Sequence, residues 1–164
     1  IIYGISAFGL AQQLNMSNIE ASKIINAYFA RYPGIELYMQ KCRVQAREQG
    51  FVTTLMGRKV HLRGINDKNF LMRQFAERQA INAPLQGSNA DIIKRAMVKI
   101  HRFLATSQTK LLLQVHDELV FEVPDSDVKV MSVKLKELME SVVKLKVPLL
   151  VDVGVGKNWD ETHE

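Results

Sequence analysis

Three ionisable residues, His116, Asp117 and Glu118, stand between two apolar runs in the stretch LLLQVHDELVFEV (Leu111–Val123). Adjacent carboxylates suit a hard cation such as Mg²⁺, which takes oxygen ligands and is often held by one or two carboxylates together with substrate phosphates. An imidazole beside them can donate a hydrogen bond to a polyanion. The flanking runs read as a hairpin, Leu111–Val115 and Leu119–Val123, with the three residues at its tip. A strand end is a rigid mount for such groups. Side chains alternate along a strand, so Asp117 is the expected primary ligand and Glu118 a secondary one, with His116 directed away from Asp117. Asp is also common in turns, and HDE alone reads more readily as a polar turn. Its apolar flanks tilt the reading: they suggest a buried hairpin, where carboxylates are costly unless something compensates them.

A second set occupies one helical face. Arg78, Asn82 and Gln86 recur at i, i+4 and i+8. Arg grips phosphate with paired hydrogen bonds, and Asn and Gln can donate to minor-groove acceptors common to A·T and G·C pairs. From residue types alone the stripe reads first as a solvated face. Arg58, Lys59 and Arg63 around the first hairpin read at least as readily as solubilising charge as they do as phosphate contacts. Phe8, Tyr28, Phe29 and Tyr32 are expected in the core. His61, His101 and His163 show no ligand spacing. Asp125, Asp127 and Asp152 are not expected to converge on Asp117. Cys42 reads as a small residue buried on a helix, with no base partner to make it a nucleophile.

The elements that must position these residues are legible in outline. Ser6 to Leu14 suits a short helix. Ser17 and Glu20 form a capping box, opening a helix that stops before Pro33. A third helix runs from about Gly34 to Gln49, closed by Gly50. Phe51–Leu55 and Arg58–Leu62 predict a hairpin around Met56-Gly57. Helical spacing resumes at Asn69. Pro84 is expected to kink or end that helix, with Ser88 capping another that reaches about Leu104. Residues 126–145 predict an amphipathic helix with Val130, Val133, Leu135, Leu138, Met139 and Val142 on its apolar face. LLVDVGVG predicts a final strand. This order implies an α+β fold, a helical lobe joined to a lobe built on a small antiparallel sheet.

The 164 residues carry a net charge of +5, but residues 41–102 carry +9 and residues 103–164 carry −4. A basic middle beside an acidic end suggests a polyanion partner. No apolar run is long enough to span a membrane, so no membrane partner is expected. The single Cys42 allows no internal disulfide, which favours a reducing, cytoplasmic setting. The opening IIYG has no initiator Met and no helix cap, so a piece of a longer chain is expected.

QVHDELVFEV (Gln114–Val123) closely resembles the motif C hairpin of family A DNA polymerases, the bacterial DNA polymerase I type. The resemblance extends through IIYGISAFGLAQQL (Ile1–Leu14), ARYPGI (Ala30–Ile35), TLMGRKVHL (Thr54–Leu62), AERQAINAPLQGSNADIIKRAM (Ala76–Met97) and VPLLVDVGVGKNWDE (Val147–Glu161), in the family's order and spacing. It covers essentially the whole chain. It implies most of the fingers and the C-terminal part of the palm. Residues 1–75 would be a fingers-like helical region with a hairpin at about 51–62, and residues 76–164 the palm portion with the HDE hairpin. The thumb, motif A with its metal-binding aspartate, and the start of motif B would lie outside.

By the same resemblance, Asp117 is a catalytic metal ligand and Glu118 its acidic neighbour near the primer end. His116 contacts the primer terminus. Tyr3 and Gly4 lie at the end of the fingers helix, where the Tyr stacks at the template position. Arg78, Asn82 and Gln86 contact template and primer near the nascent pair. The implied cofactor is Mg²⁺ in a two-metal site completed elsewhere. The implied partners are primer-template DNA, deoxynucleoside triphosphates and the remaining N-terminal part of the polymerase. The piece alone is expected to be inactive and to self-associate. The main rival is a non-catalytic DNA-binding module; a metal-dependent nuclease, which needs more convergent carboxylates, fits poorly.

Overall fold

The computed structural model describes residues 1–163. It is α+β, and it divides into two compact units, the first Ile1–Ser88 and the second beginning at Asn89. The division expected at 75/76 falls inside a long helix.

The first unit is built by strong local signals. Ser6 accepts a hydrogen bond from the Gly9 amide and opens α1 (Ala7–Leu14). The Ser17–Glu20 capping box is formed and opens α2 (Asn18–Arg31). Pro33 starts α3 (Pro33–Gln49), and Gly50, at φ +75°, ends it in a left-handed conformation that favours glycine. The chain then turns into β1 (Phe51–Thr53) and β2 (Lys59–His61), antiparallel with Val52 opposite Val60. This hairpin is shorter than predicted. Ala46, Ala76 and Ala80 are fully buried with Val52, Leu62 and Ile65. Three alanines let α3, the hairpin and the next helix approach closely.

That next helix, α4 (Phe70–Phe103), is one unbroken element of 34 residues with Pro84 inside it. The predicted break at Pro84 and cap at Ser88 are both absent. A proline withdraws one backbone donor and crowds the preceding turn. Two side-chain bonds flank the proline. Tyr38 Oη donates to the Ile81 carbonyl at 2.9 Å. Ser88 Oγ donates back to the Pro84 carbonyl at 2.5 Å. Ser88 therefore sits inside the helix and bonds the turn before it.

In the second unit, β3 (Lys110–Val115) pairs with β4 (Glu118–Glu122), with an irregularity between Leu111 and Leu113. α5 (Val128–Glu140) follows, and its Leu135 shares a core with Leu119 and Phe121 of β4. Ile100, Leu104 and Leu135 form the core, with Leu119, Phe121, Met131, Leu138 and Met139 around them. Three expectations are corrected here. α5 is shorter than 126–145, and its inner face is Met131, Leu135, Leu138 and Met139. Val130 and Val133 point outward, 65% and 56% exposed. The hairpin is not buried on both faces, since Leu112 and Leu113 are exposed. Finally, residues 149–156 form no strand. A strand needs a pairing partner, and among the described residues β3 and β4 pair only with each other.

Candidate catalytic hairpin and nucleic-acid interface

Val115 pairs with Glu118, so His116 and Asp117 are the whole of a two-residue loop. His116 has φ +52°, while Asp117 is not among the positive-φ residues. This sign pattern belongs to a hairpin turn that usually places glycine first. Holding a non-glycine residue there costs about 1–3 kcal/mol. Gln114 Nε2 donates to the His116 carbonyl at 2.9 Å and secures the loop from the adjacent strand. The alternation expected along this tripeptide does not apply, because His116 and Asp117 stand outside the ladder. All three residues are exposed. Hence the argument from buried carboxylates fails, and the tip instead carries two exposed acidic residues on a strained mount.

Two adjacent carboxylates fit the donor chemistry of a hard divalent ion, which prefers oxygen. Among the described residues no group of three or more His, Cys, Asp or Glu gathers into a metal site. Asp125, Asp127 and Asp152 add nothing at the tip. Among the described residues the tip therefore offers the Asp117–Glu118 pair and no larger ligand cluster.

The first unit brings together residues far apart in sequence. Ile1 to Gly4 form a turn, closed by a 2.8 Å bond from the Gly4 amide to the Ile1 carbonyl. Gly4 has φ +77°, and a Cβ placed on it would lie 3.4 Å from Ile81 Cδ1 and 3.6 Å from Arg78 Cγ. The turn carrying exposed Tyr3 is therefore seated on α4 beside Arg78. Residues 1–6 are not helical. Arg78 and Gln86 are exposed and Asn82 is half-buried, all on α4. The Asn82 side-chain oxygen is buried and has no hydrogen-bond partner among the described residues. Such a group is costly to leave unsatisfied.

The first hairpin is fastened to the same helix. Arg58 Nη2 donates to the Gly87 carbonyl at 2.9 Å, and the Leu55 amide donates to Ser88 Oγ at 2.8 Å. Gly87 allows this approach, because a Cβ there would lie 2.6 Å from Thr54 Cγ2. Arg58 thus has a structural partner, and Lys59 lies over the Phe51 ring at 4.5 Å. Arg63 is exposed. Tyr38, Gly87 and Ser88 position α4, yet the sequence marked none of them for that role. Only Ser88 drew notice, as a cap.

Other expectations divide. Phe8 and Tyr32 are exposed, against the prediction that they are core; Tyr28 and Phe29 are half-buried. Cys42 is buried on α3 beside Met39 and Ile81. Burial pushes its thiol pKa up, offset in part by a hydrogen bond with Tyr38. Burial also raises the Tyr38 phenol, reinforced by Cys42. Neither is an activated nucleophile.

Residues 1–161 match the family described as DNA polymerase family A. DNA polymerase I of Pseudomonas aeruginosa is 52% identical over 165 residues, covering 99% of this chain and 18% of that protein. DNA polymerase I of Streptococcus pneumoniae is 48% identical over 163 residues, covering 98% of this chain and 19% of that protein. The POL domain of Pol1 from M. smegmatis, solved in complex with DNA primer-template and dNTP, superposes with a TM-score of 0.96 at 42% identity, over 99% of this chain and 29% of that one. The chain thus spans under a fifth of the curated relatives it matches. On this agreement of sequence and fold, the chain belongs to DNA polymerase family A.

Proposed function

We propose that this chain is the fingers-and-palm portion of a DNA-directed DNA polymerase of replication and repair. It would act on a primer 3′-hydroxyl, primer-template DNA and deoxynucleoside triphosphates in the cytoplasm. The family match across residues 1–161 carries this reading. Residues 1–75 serve as the fingers-like region and residues 76–164 as the palm portion.

Asp117 and Glu118 are the residues that would hold Mg²⁺. Bound there, the metal supplies charge stabilisation to the attacking and leaving oxygens. The chain's own contribution is placement. The strained two-residue loop presents Asp117 to solvent, and Gln114 fixes that loop. His116 lies beside the carboxylates, in reach of a primer terminus brought to them. Tyr3, on its turn against Arg78, offers a ring for stacking at the template position, and Gly4 lets that turn sit on α4. Arg78 grips a backbone phosphate, and Asn82 and Gln86 test the shape of the nascent pair without reading its sequence. The remaining carboxylate of the metal site belongs to the N-terminal part of the polymerase.

Primer extension with Mg²⁺ and all four nucleotides tests this. The 164-residue chain alone should give no extension. Adding the upstream portion in trans should restore it, and Asp117→Ala should abolish the restored activity. DNA binding without extension in the complemented mixture, unchanged by Asp117→Ala, would instead support the binding-module reading.

A further inference from the structure

Within the second unit, Lys94, Arg95, Lys99 and Arg102 line one shallow cleft of about 450 Å³ on α4, together with Val98. Ile93, Ala96 and Ile100 of the same stretch are buried. At 3.6 residues per turn the cations fall on the side of the helix opposite that core face. Leu119 and Phe121 of the catalytic hairpin pack around Ile100, so the cations face away from the hairpin as well. Among the described residues none of the four pairs with a carboxylate. Lys99 Nζ donates to Ser141 Oγ at 2.8 Å, which steadies the ammonium on a neutral partner and leaves its charge uncompensated.

We infer that this stripe is a second nucleic-acid surface, which binds a DNA sugar–phosphate backbone without reading sequence. From Lys94 to Arg102 the cations extend about 12 Å along the helix axis at 1.5 Å per residue. Double-stranded DNA carries one charge per about 1.7 Å of its axis, so several phosphates fall within reach. A protein partner fits less well. Protein interfaces have an apolar, charge-depleted centre, and here Val98 is the sole apolar residue of the cleft. A membrane fits less well too, because the apolar face of this helix is already buried in the core. The surface is additional to the primer-terminus site and depends on the polymerase reading only for the ligand that fills that first site.

The test uses the complete polymerase proposed above. Its first site is filled with a dideoxy-terminated primer-template and the next nucleotide. A fluorescent blunt 20-base-pair duplex is then titrated at several salt concentrations. Wild type should bind the second duplex with affinity that falls as salt rises. The quadruple variant Lys94→Glu, Arg95→Glu, Lys99→Glu, Arg102→Glu should weaken that binding by roughly tenfold or more and lower the salt slope by about 3.6, at about 0.9 per phosphate contact. Single-turnover incorporation at the first site should not change. The corresponding all-Gln variant keeps the test valid if charge reversal disturbs folding; it should lose affinity in the same direction. No second duplex on the wild type, or equal affinity and slope in a folded variant, overturns the inference. Equal competition by polyglutamate of matched charge also overturns it and assigns the stripe to an acidic protein.

Discussion

His116 holds φ +52° at the tip of the β3–β4 hairpin, where glycine would be unstrained. A strained residue retained beside two carboxylates argues that its side chain is used. His116→Gly should therefore raise stability by about 1 kcal/mol, as the left-handed strain is relieved, and slow primer extension by the complemented polymerase. Thermal denaturation and extension assays would read the two effects, and a variant less stable than wild type would count against the strain argument. Tyr38 makes a different residue-level case. Its phenol is held well above its ordinary value by burial and by Cys42. A tyrosine raised on folding is neutral in both states below the unfolded value. Its contribution to stability is thus full below about pH 10 and is lost as pH rises from there toward the folded value. Tyr38→Phe should be less stable than wild type at neutral pH, by about 1 kcal/mol for the lost bond to Ile81. It should also lose less stability than wild type in alkaline denaturation above pH 10.

At the scale of elements, the contact between the first hairpin and α4 is decided by two small residues. Propensity alone says that Gly87→Ala in a helix should stabilise by about 1 kcal/mol. The structure gives the opposite sign, because the new methyl would lie 2.6 Å from Thr54 Cγ2 and Thr54 is buried. Overpacking of this kind costs about 1–3 kcal/mol. Ser88→Ala should cost about 1 kcal/mol and raise amide exchange at Leu55, which loses its acceptor. Chemical denaturation and hydrogen exchange check both. The same region shows what the sequence could and could not disclose. The Ser17–Glu20 box, the stop at Gly50 and the HDE tip were legible because their causes lie within a few residues. The continuity of α4 was not, because a proline reads locally as a break, while contacts that hold this helix, such as Tyr38 on the Ile81 carbonyl 43 residues away, are distant in sequence. The final strand was misread for a similar reason: its residues have strand propensity, but no partner among those described. Arg78, Asn82 and Gln86 could be placed on one helix from their spacing. Their meeting with the Tyr3–Gly4 turn could not, since no local pattern records a packing of Gly4 on Ile81.

At the scale of the whole molecule, the second unit leaves much apolar surface uncovered. Leu112 and Leu113 on the hairpin, Val130 and Val133 on α5, and Val147, Leu150, Val153 and Val155 beyond it are all exposed. The two-stranded β3–β4 sheet has no neighbour on either side among the described residues, so its free backbone groups can template further pairing. Exposed apolar area of this kind marks an interaction surface, and the matched relatives contain far more chain than the 164 residues here. The isolated chain should therefore self-associate, with a light-scattering mass that climbs with concentration. Salt separates this cause from a charge-driven one. With a net charge of +5, copies repel one another at low ionic strength. Screening weakens that repulsion while apolar contact persists, so association through these residues should strengthen as salt rises. Association through ion pairs would weaken instead. If this surface is the seam with the rest of the polymerase, adding the upstream portion should return the mixture to a one-to-one species. A monomer at every concentration and salt would show that this surface is not a seam, and would make the chain a self-sufficient module.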